Sequence, residues 1–313
     1  MILLLQYTLL FASVLLLVAL GGCFSERSGV INLGLEGIMV MGALGGAITM
    51  NLLPISLSPF ILIVCVSLMA CITGMFYSSL LAIASIHFKA DQTLIGTALN
   101  LMSVAIASVI VRAINTSINP DNVSTTLQYI EAKKVFIINI NGFEFNWFMI
   151  MTLLALIISH ILLYKTKFGL RLIACGENPH AADSVGINVY KMRWAGVLIS
   201  GILGGLGGLV YIMAGVSEWK FEMGVAGFGF LSLAVMIFGE WKPKRIALAA
   251  LLFGFFRSLS NVYSGFDWLV SLGLDSKIYN MLPYIISLIV LAFTSMNSKA
   301  PKAEGIPYDK SSR

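Results

Sequence analysis

Charge is scarce in this chain. Of 313 residues only 11% are Asp, Glu, Lys or Arg, 58% are hydrophobic, and mean hydropathy is +0.91. A soluble domain carries about 25% charged and about 45–50% apolar residues, so this sequence cannot cover a water-facing surface; its solvent is lipid. Histidine is equally sparse: His87, His160 and His180 form no HExxH pair, which excludes that zinc-hydrolase pattern. The four cysteines, Cys23, Cys65, Cys71 and Cys175, have neither CxxC nor metal-ligand spacing and read as small packing residues. There is no Gly-Lys pair, hence no phosphate-cradling loop of the GxxxxGK[ST] type. No paired carboxylates within an apolar run suggest a proton relay beyond Glu36 itself. Enzyme chemistry is not visible. The net charge of +5 is scattered over loops, which fits membrane topology rather than nucleic acid.

What the chain has in abundance is long apolar runs. They fall at about 3–23, 30–50, 60–86, 93–111, 147–164, 194–215, 223–239, 246–262 and 282–296. A span needs roughly 20 residues, so the expectation is an all-α polytopic protein of about nine transmembrane helices (eight to ten), one membrane domain over 1–313. Leu20-Gly21-Gly22-Cys23 looks like a lipoprotein cleavage site, but Met1 to Gln6 carries no charge and the first basic residue is Arg27, so the run is taken as the first span. The run between Glu222 and Glu240 has Gly224, Gly227 and Gly229 at its start and is expected to be broken or re-entrant, which lipid permits only inside protein.

Basic residues set the orientation. If 165–193 is cytoplasmic, alternation puts Arg27, Lys89, Lys165, Lys167, Arg171, Lys191, Arg193, Lys242, Lys244, Arg245, Lys299, Lys302, Lys310 and Arg313 on that side, 14 of the 20. Arg112, Lys133, Lys134, Lys220, Arg257 and Lys277 fall on the other. This places the N-terminus outside, the tail 297–313 inside and the loop 112–146 outside, with a short strand or interfacial segment expected over Val135 to Ile140.

Three features stand out. In Ser28 to Gly37, Asn32 and Glu36 are spaced i, i+4 and would share a helix face. A continuous helix from Arg27 would carry Glu36 roughly 14 Å deep, where an ionisable group faces a cavity or partner. Alternatively Gly29 and Gly34 break the helix and Glu36 caps the half-helix that follows. In Gly176 to Val189, Asn178 suits an N-cap, Pro179 the first helical position and Gly186 the C′ position, giving a helix of about two turns on the cytoplasmic face. Gly201, Gly204, Gly205, Gly207 and Gly208 make small-xxx-small pairs; Gly201, Gly205 and Gly208 are read as close-packing or hinge positions. Segments 29–46 and 224–239 are both Gly-rich, begin at a helix break and run in opposite directions in this topology, a faint sign of inverted halves.

The stretches SERSGVINLGLEGIMVMGA (25–43), GLRLIACGENPHAADSVGINVYKMR (169–193) and AGFGFLSLAVMIFGEWKP (226–243) together resemble permease subunits of ABC importers of the simple sugar, branched-chain amino acid and nucleoside branch. The tail APKAEGIPYD (300–309) and GINVYKMR resemble the nucleoside-type members. The resemblance implies a bacterial plasma-membrane protein with inverted-repeat architecture, working by alternating access. It implies a homologous second permease subunit, ATPase subunits that hold the ATP and Mg, and an extracytoplasmic substrate-binding lipoprotein; this chain would hold no cofactor or metal. Glu177, Asn178, Pro179, Ala181, Ala182, Asp183 and Gly186 would form the coupling helix against the ATPase. Asn32, Glu36, Asn100, Phe228 and Phe230 are the candidates for the translocation path. Rival expectations are a permease for a simple sugar, an ion-coupled secondary transporter using Glu36, and an intramembrane structural or channel subunit.

Overall fold

The computed structural model describes residues 2–54, 56–127, 136–140, 143–213, 219–266, 271, 273, 276–294 and 299–310. Lys133, Lys134, Val135 and Arg313 lie outside that set. The described chain is mainly helical: α1 (Ile2–Arg27), α2 (Leu35–Leu52), α3 (Pro59–Ala82, continued by a π turn at Ile83–His87), α4 (Gln92–Ile118), α5 (Trp147–Lys165), α6 (Lys167–Glu177), α7 (Pro179–Ser184), α8 (Val189–Met213), α9 (Phe228–Phe238), α10 (Pro243–Val262) and α11 (Ser276–Thr294). Each of the nine apolar runs falls on a helix. Seven of those helices are long and apolar enough to cross a membrane. At 1.5 Å per residue, the 11-residue α9 spans about 16 Å, half the hydrocarbon thickness. The broken seventh segment is therefore a half-helix. It starts after Gly224 (φ +59°) and Gly227 (φ +79°), left-handed positions that glycine adopts without strain.

Four short strands lie at one end. β1 (Thr126–Leu127) pairs with β4 (Trp219–Lys220), and β2 (Ile137–Ile140) forms an antiparallel ladder with β3 (Phe143–Asn146). The strand expected up to Ile140 is present from Ile137.

The core is α8, packed against α1, α2 and α3. Its glycines explain how closely. A Cβ on Gly205 would run into the carbonyl of Ala70 and come within 3.0 Å of Gly74 Cα, and one on Gly208 would meet the carbonyl of Met39. Gly201 likewise abuts Ser78. Bare backbones touch here because lipid gives no hydrophobic drive for association, so close dispersion contact must supply it.

Arg257, assigned to the other side, lies inside α10 toward the end far from Lys242 and turns inward, its guanidinium 5.7 Å from the Phe11 ring centre and 5.5 Å from that of Phe228. By contrast, Arg27, Lys89, Arg193, Lys242, Arg245, Lys299 and Lys310 do gather at one end of the bundle, joined by ion pairs and hydrogen bonds.

Candidate translocation path and coupling surface

Asn32 and Glu36 do not share a helix face. After Arg27 the chain leaves the helix, Gly29 adopts φ +95°, and α2 begins only at Leu35, so Asn32 lies in the connecting loop. Its amide donates to Ser200 Oγ on α8 at 2.9 Å, while its Oδ1 is buried without a hydrogen-bond partner. Glu36 occupies the first turn of α2, as the broken-helix alternative expects. The helix it caps is a different one. Its Oε1 accepts the Gly227 N–H at 2.8 Å and its Oε2 accepts the Gly229 N–H at 2.7 Å. The first N–H groups of a helix have no intrahelical partner and carry partial positive charge; a carboxylate on α2 satisfies those of α9. Gly229 is required by this approach, since a Cβ there would come within 2.6 Å of Glu36 Cα.

Asn100, in α4, brackets the same element from the other side. Its Oδ1 accepts the Gly37 N–H and its Nδ2 donates to the Leu33 carbonyl, both at 2.8 Å. One side chain thus satisfies a donor and an acceptor left free where α2 begins. Phe228 is fully buried between Phe11 and Tyr211, with ring centres 5.7 and 4.8 Å away. Phe230, two residues on, is 49% exposed on the opposite face of α9, and Glu36 opens partly beside it. Tyr284 of α11 donates to the Ala226 carbonyl at 2.8 Å and closes the turn before α9. The structure therefore brings Glu36, Phe228 and Phe230 together, with Asn32 and Asn100 holding the segment that carries Glu36.

At the basic end, α7 forms as its residues dictate. Asn178 Oδ1 accepts the Ala181 N–H at 3.0 Å, Pro179 occupies the first turn, and Gly186 at φ +84° follows the C-cap. Gly186 N–H reaches Asp183 O at 2.9 Å and Ile187 N–H reaches Ala182 O at 3.1 Å, the paired bonds of a Schellman end. Pro179 and Ala182 face inward, Ala182 packing among Cys175, Val189 and Tyr308; His180, Ala181, Ser184, Val185 and Gly186 face outward. Glu177 lies just before α7, not within it. It ends α6, a separate amphipathic helix within the 165–193 stretch, and points toward Arg27 at 3.9 Å.

Several groups at this end carry no signal in spacing. Glu26, 4% exposed, accepts the Trp241 indole N–H at 2.6 Å, and Arg27 donates to the Trp241 carbonyl at 3.2 Å. Trp241 and Glu240 both sit at positive φ, 53° and 52°, in the turn between α9 and α10. Glu240 pairs with Lys299, Lys242 and Arg245. Its hydrogen bond to Lys299, aided by the other two cations, holds its carboxyl below the usual range. Arg193, 1% exposed, donates to the Ile306 carbonyl at 2.9 Å. The sequence hints at them only through a charge next to an apolar run and a tryptophan two residues after Gly239. Among the described residues no cluster of His, Cys, Asp or Glu could hold a metal.

Residues 4–293 match the family described as branched-chain amino acid transport system / permease component, and the chain belongs to it. The nucleoside ABC transporter permease protein NupC of Lactococcus lactis is 38% identical, over 97% of this chain and 95% of its own. The guanosine ABC transporter permease protein NupQ of Bacillus subtilis is also 38% identical, over 98% and 96%. The nucleoside ABC transporter permease protein NupB of Lactococcus lactis is 24% identical, over 96% and 82%. No solved structure matches the chain.

Proposed function

We propose that this chain is the permease subunit of an ATP-driven importer for nucleosides, with transport by alternating access. The observation that carries the substrate class is the 38% identity, along nearly the whole of both chains, to permeases named for nucleosides and guanosine. ATP and its Mg would sit on partner ATPase subunits, since the chain has no phosphate-binding loop of its own. A second permease subunit is supported by the likeness to both NupB and NupC of one organism. An extracytoplasmic lipoprotein would deliver substrate.

The basic end is the cytoplasmic side in this reading, because lysine and arginine concentrate on cytoplasmic loops. The N-terminus is then outside. The outward face of α7 seats on the ATPase, with Glu177 and Asp183 flanking it. Glu36 and Phe230 face the path, and Asn32, Asn100 and Phe228 hold the wall behind them. A partly open carboxylate and an exposed aromatic ring suit a neutral polar ligand with a planar base, which needs few, well-placed polar groups in an apolar setting.

The test is uptake of radiolabelled guanosine in a strain lacking the native system and expressing the assembled transporter. Competition by unlabelled nucleosides but not by ribose or galactose is the expected result. Competition by the sugars alone moves the substrate to the sugar class. Uptake that persists without the ATPase and collapses with a protonophore overturns the ABC mechanism. Coupling at α7 is tested by Gly186→Pro and Glu177→Ala: hydrolysis should continue while uptake falls.

A further inference from the structure

The described tail, Lys299 to Lys310, is not a loose end. It crosses the basic face as a strap and touches several of the joints there. Lys299 pairs with Glu240 at 2.8 Å, at the turn between α9 and α10. Ala303 N–H donates to the Gly176 carbonyl at 2.8 Å, at the end of α6. Gly305 N–H donates to the Gly29 carbonyl at 3.3 Å, in the α1–α2 joint. The Ile306 carbonyl accepts from buried Arg193 in the first turns of α8. Tyr308, 4% exposed, packs its ring at a tilt against those of His180 and Tyr190, each centre 5.3 Å away. Asp309 pairs with Lys89 at 2.5 Å beyond the π turn of α3, and Lys310 approaches Asp183 of α7 at 3.9 Å.

Two features show that this seat is built rather than incidental. Gly29 passes so close beneath Arg193 that a Cβ would come within 2.9 Å of its Nη2, and the Ala303 carbonyl lies 3.4 Å from the same point. Glu304 sits against Glu26 and near Arg27. A disordered tail spends no buried arginine and no glycine-only contact on its own docking.

The α7 helix has six residues, and a helix so short is marginal alone. Its inward face meets Tyr308 of the tail, Cys175 of α6 and Val189 of α8. The tail then bonds the α1–α2 joint at Gly29, seven positions before Glu36. From Glu36 the contact passes to the N-terminus of α9.

We propose that residues Lys299 to Lys310 are a positioning element of the transporter, a strap that fixes α7 to the α1–α2 joint so that displacement of α7 is delivered to the Glu36–α9 contact. This rests on α7 being the coupling helix. Spatial continuity alone does not establish coupling; perturbation of the link must change it.

The test uses the assembled transporter in proteoliposomes. Residues Ala303 to Asp309 are replaced by a Gly/Ser segment of equal length, and ATP hydrolysis and nucleoside uptake are measured together. The expected result is an assembled complex that hydrolyses ATP but transports about tenfold less per ATP, the scale set by coupling changes along such networks. Unchanged uptake per ATP overturns the strap. A second arm guards against misfolding. In a chain whose native cysteines are replaced by alanine, Asp183→Cys and Lys310→Cys are bridged with a short bis-maleimide. If α7 and the tail move as one body, uptake survives the bridge; if bridging stops uptake, the strap is overturned. Gly186→Pro separates the two readings. Uncoupling by Gly186→Pro but not by the Gly/Ser tail removes the strap and leaves α7 in place, while normal coupling in both removes α7 as coupling helix and the strap with it.

Discussion

Glu36 accepts the backbone N–H of Gly229 at 2.7 Å, so a carboxylate in the first turn of α2 completes the start of a helix 193 residues further along the chain. Because its second oxygen takes the Gly227 N–H, the two oxygens serve two different donors. Glu36→Gln keeps one acceptor and turns an amide N–H toward a backbone N–H; Glu36→Ala leaves both donors empty. Hydrogen bonds to charged groups contribute about 1.5–3 kcal/mol each. The alanine variant should therefore lose thermal stability in detergent and nearly all uptake, with glutamine intermediate. Equal behaviour of glutamine and wild type in both melting temperature and uptake would show that the charge is dispensable.

Asn100 gives a sharper separation of structure from substrate contact. Both ends of its amide are engaged by backbone, at Gly37 and Leu33. Asn100→Leu strands a buried donor and acceptor, at a cost of about 1–3 kcal/mol for each unsatisfied group. Asn100→Asp retains the acceptor for Gly37 alone. The expected order of melting temperature is wild type, aspartate, leucine. Folded protein of either variant should show an almost unchanged apparent KM for nucleoside uptake. A large KM change with intact stability would place Asn100 in the path itself.

Much of this is legible in the sequence. The α7 signals, Asn178, Pro179 and Gly186, are local: each acts on backbone within four residues, so sequence order reveals them. The half-helix at Phe228–Phe238 was visible because glycines clustered in a run too short to span. The partners of Glu36 were not visible, because its bonds join segments 191 and 193 residues apart. The i, i+4 spacing of Asn32 and Glu36 misled for a related reason: helix periodicity applies only where the helix exists, and Gly29 delays α2 until Leu35. Glu26 and Arg193 are hidden from the sequence because a charge next to a span ordinarily marks topology; only the fold shows Glu26 buried against Trp241 and Arg193 buried against Ile306.

The α8 glycines lead to a prediction about packing. Gly205 lies against the backbones of Ala70, Gly74 and Gly42. Gly205→Ala forces backbone apart, where overpacking costs about 1–3 kcal/mol, and Gly205→Leu should prevent accumulation of folded protein. Gly186→Ala has no neighbour within 4 Å to clash with, so its cost is the left-handed backbone alone. Expression and monodispersity in detergent should therefore fall steeply for Gly205→Leu and little for Gly186→Ala. Comparable losses at the two positions would contradict the close approach of α2, α3 and α8.

The attachment of the tail should loosen at both extremes of pH, for opposite reasons. Burial holds the Glu304 carboxyl above its usual range, against the opposing hydrogen bond from Glu26 and the charge of Arg27. A carboxyl raised in the folded state gives its full stabilisation below its unfolded value, about 4.3, and loses it as pH rises through the folded value. Glu240 is the reverse case: Lys299, Arg245 and Lys242 lower it, so its contribution is present above about 4.3 and fades as pH falls through the folded value. The groups facing Glu304 are Glu26 and Arg27, with Trp241 bonded to Glu26. Hydrogen exchange of the Ala303 and Gly305 amides, whose acceptors are Gly176 and Gly29, reports the docking directly. After correction for intrinsic exchange, protection should fall as pH rises in the wild type, and Glu304→Gln should weaken that alkaline arm, with buried Glu26 still present, while leaving the acid arm intact. Lys299→Ala should weaken the acid arm only. An alkaline arm of undiminished size in Glu304→Gln would remove Glu304 from the account of tail docking.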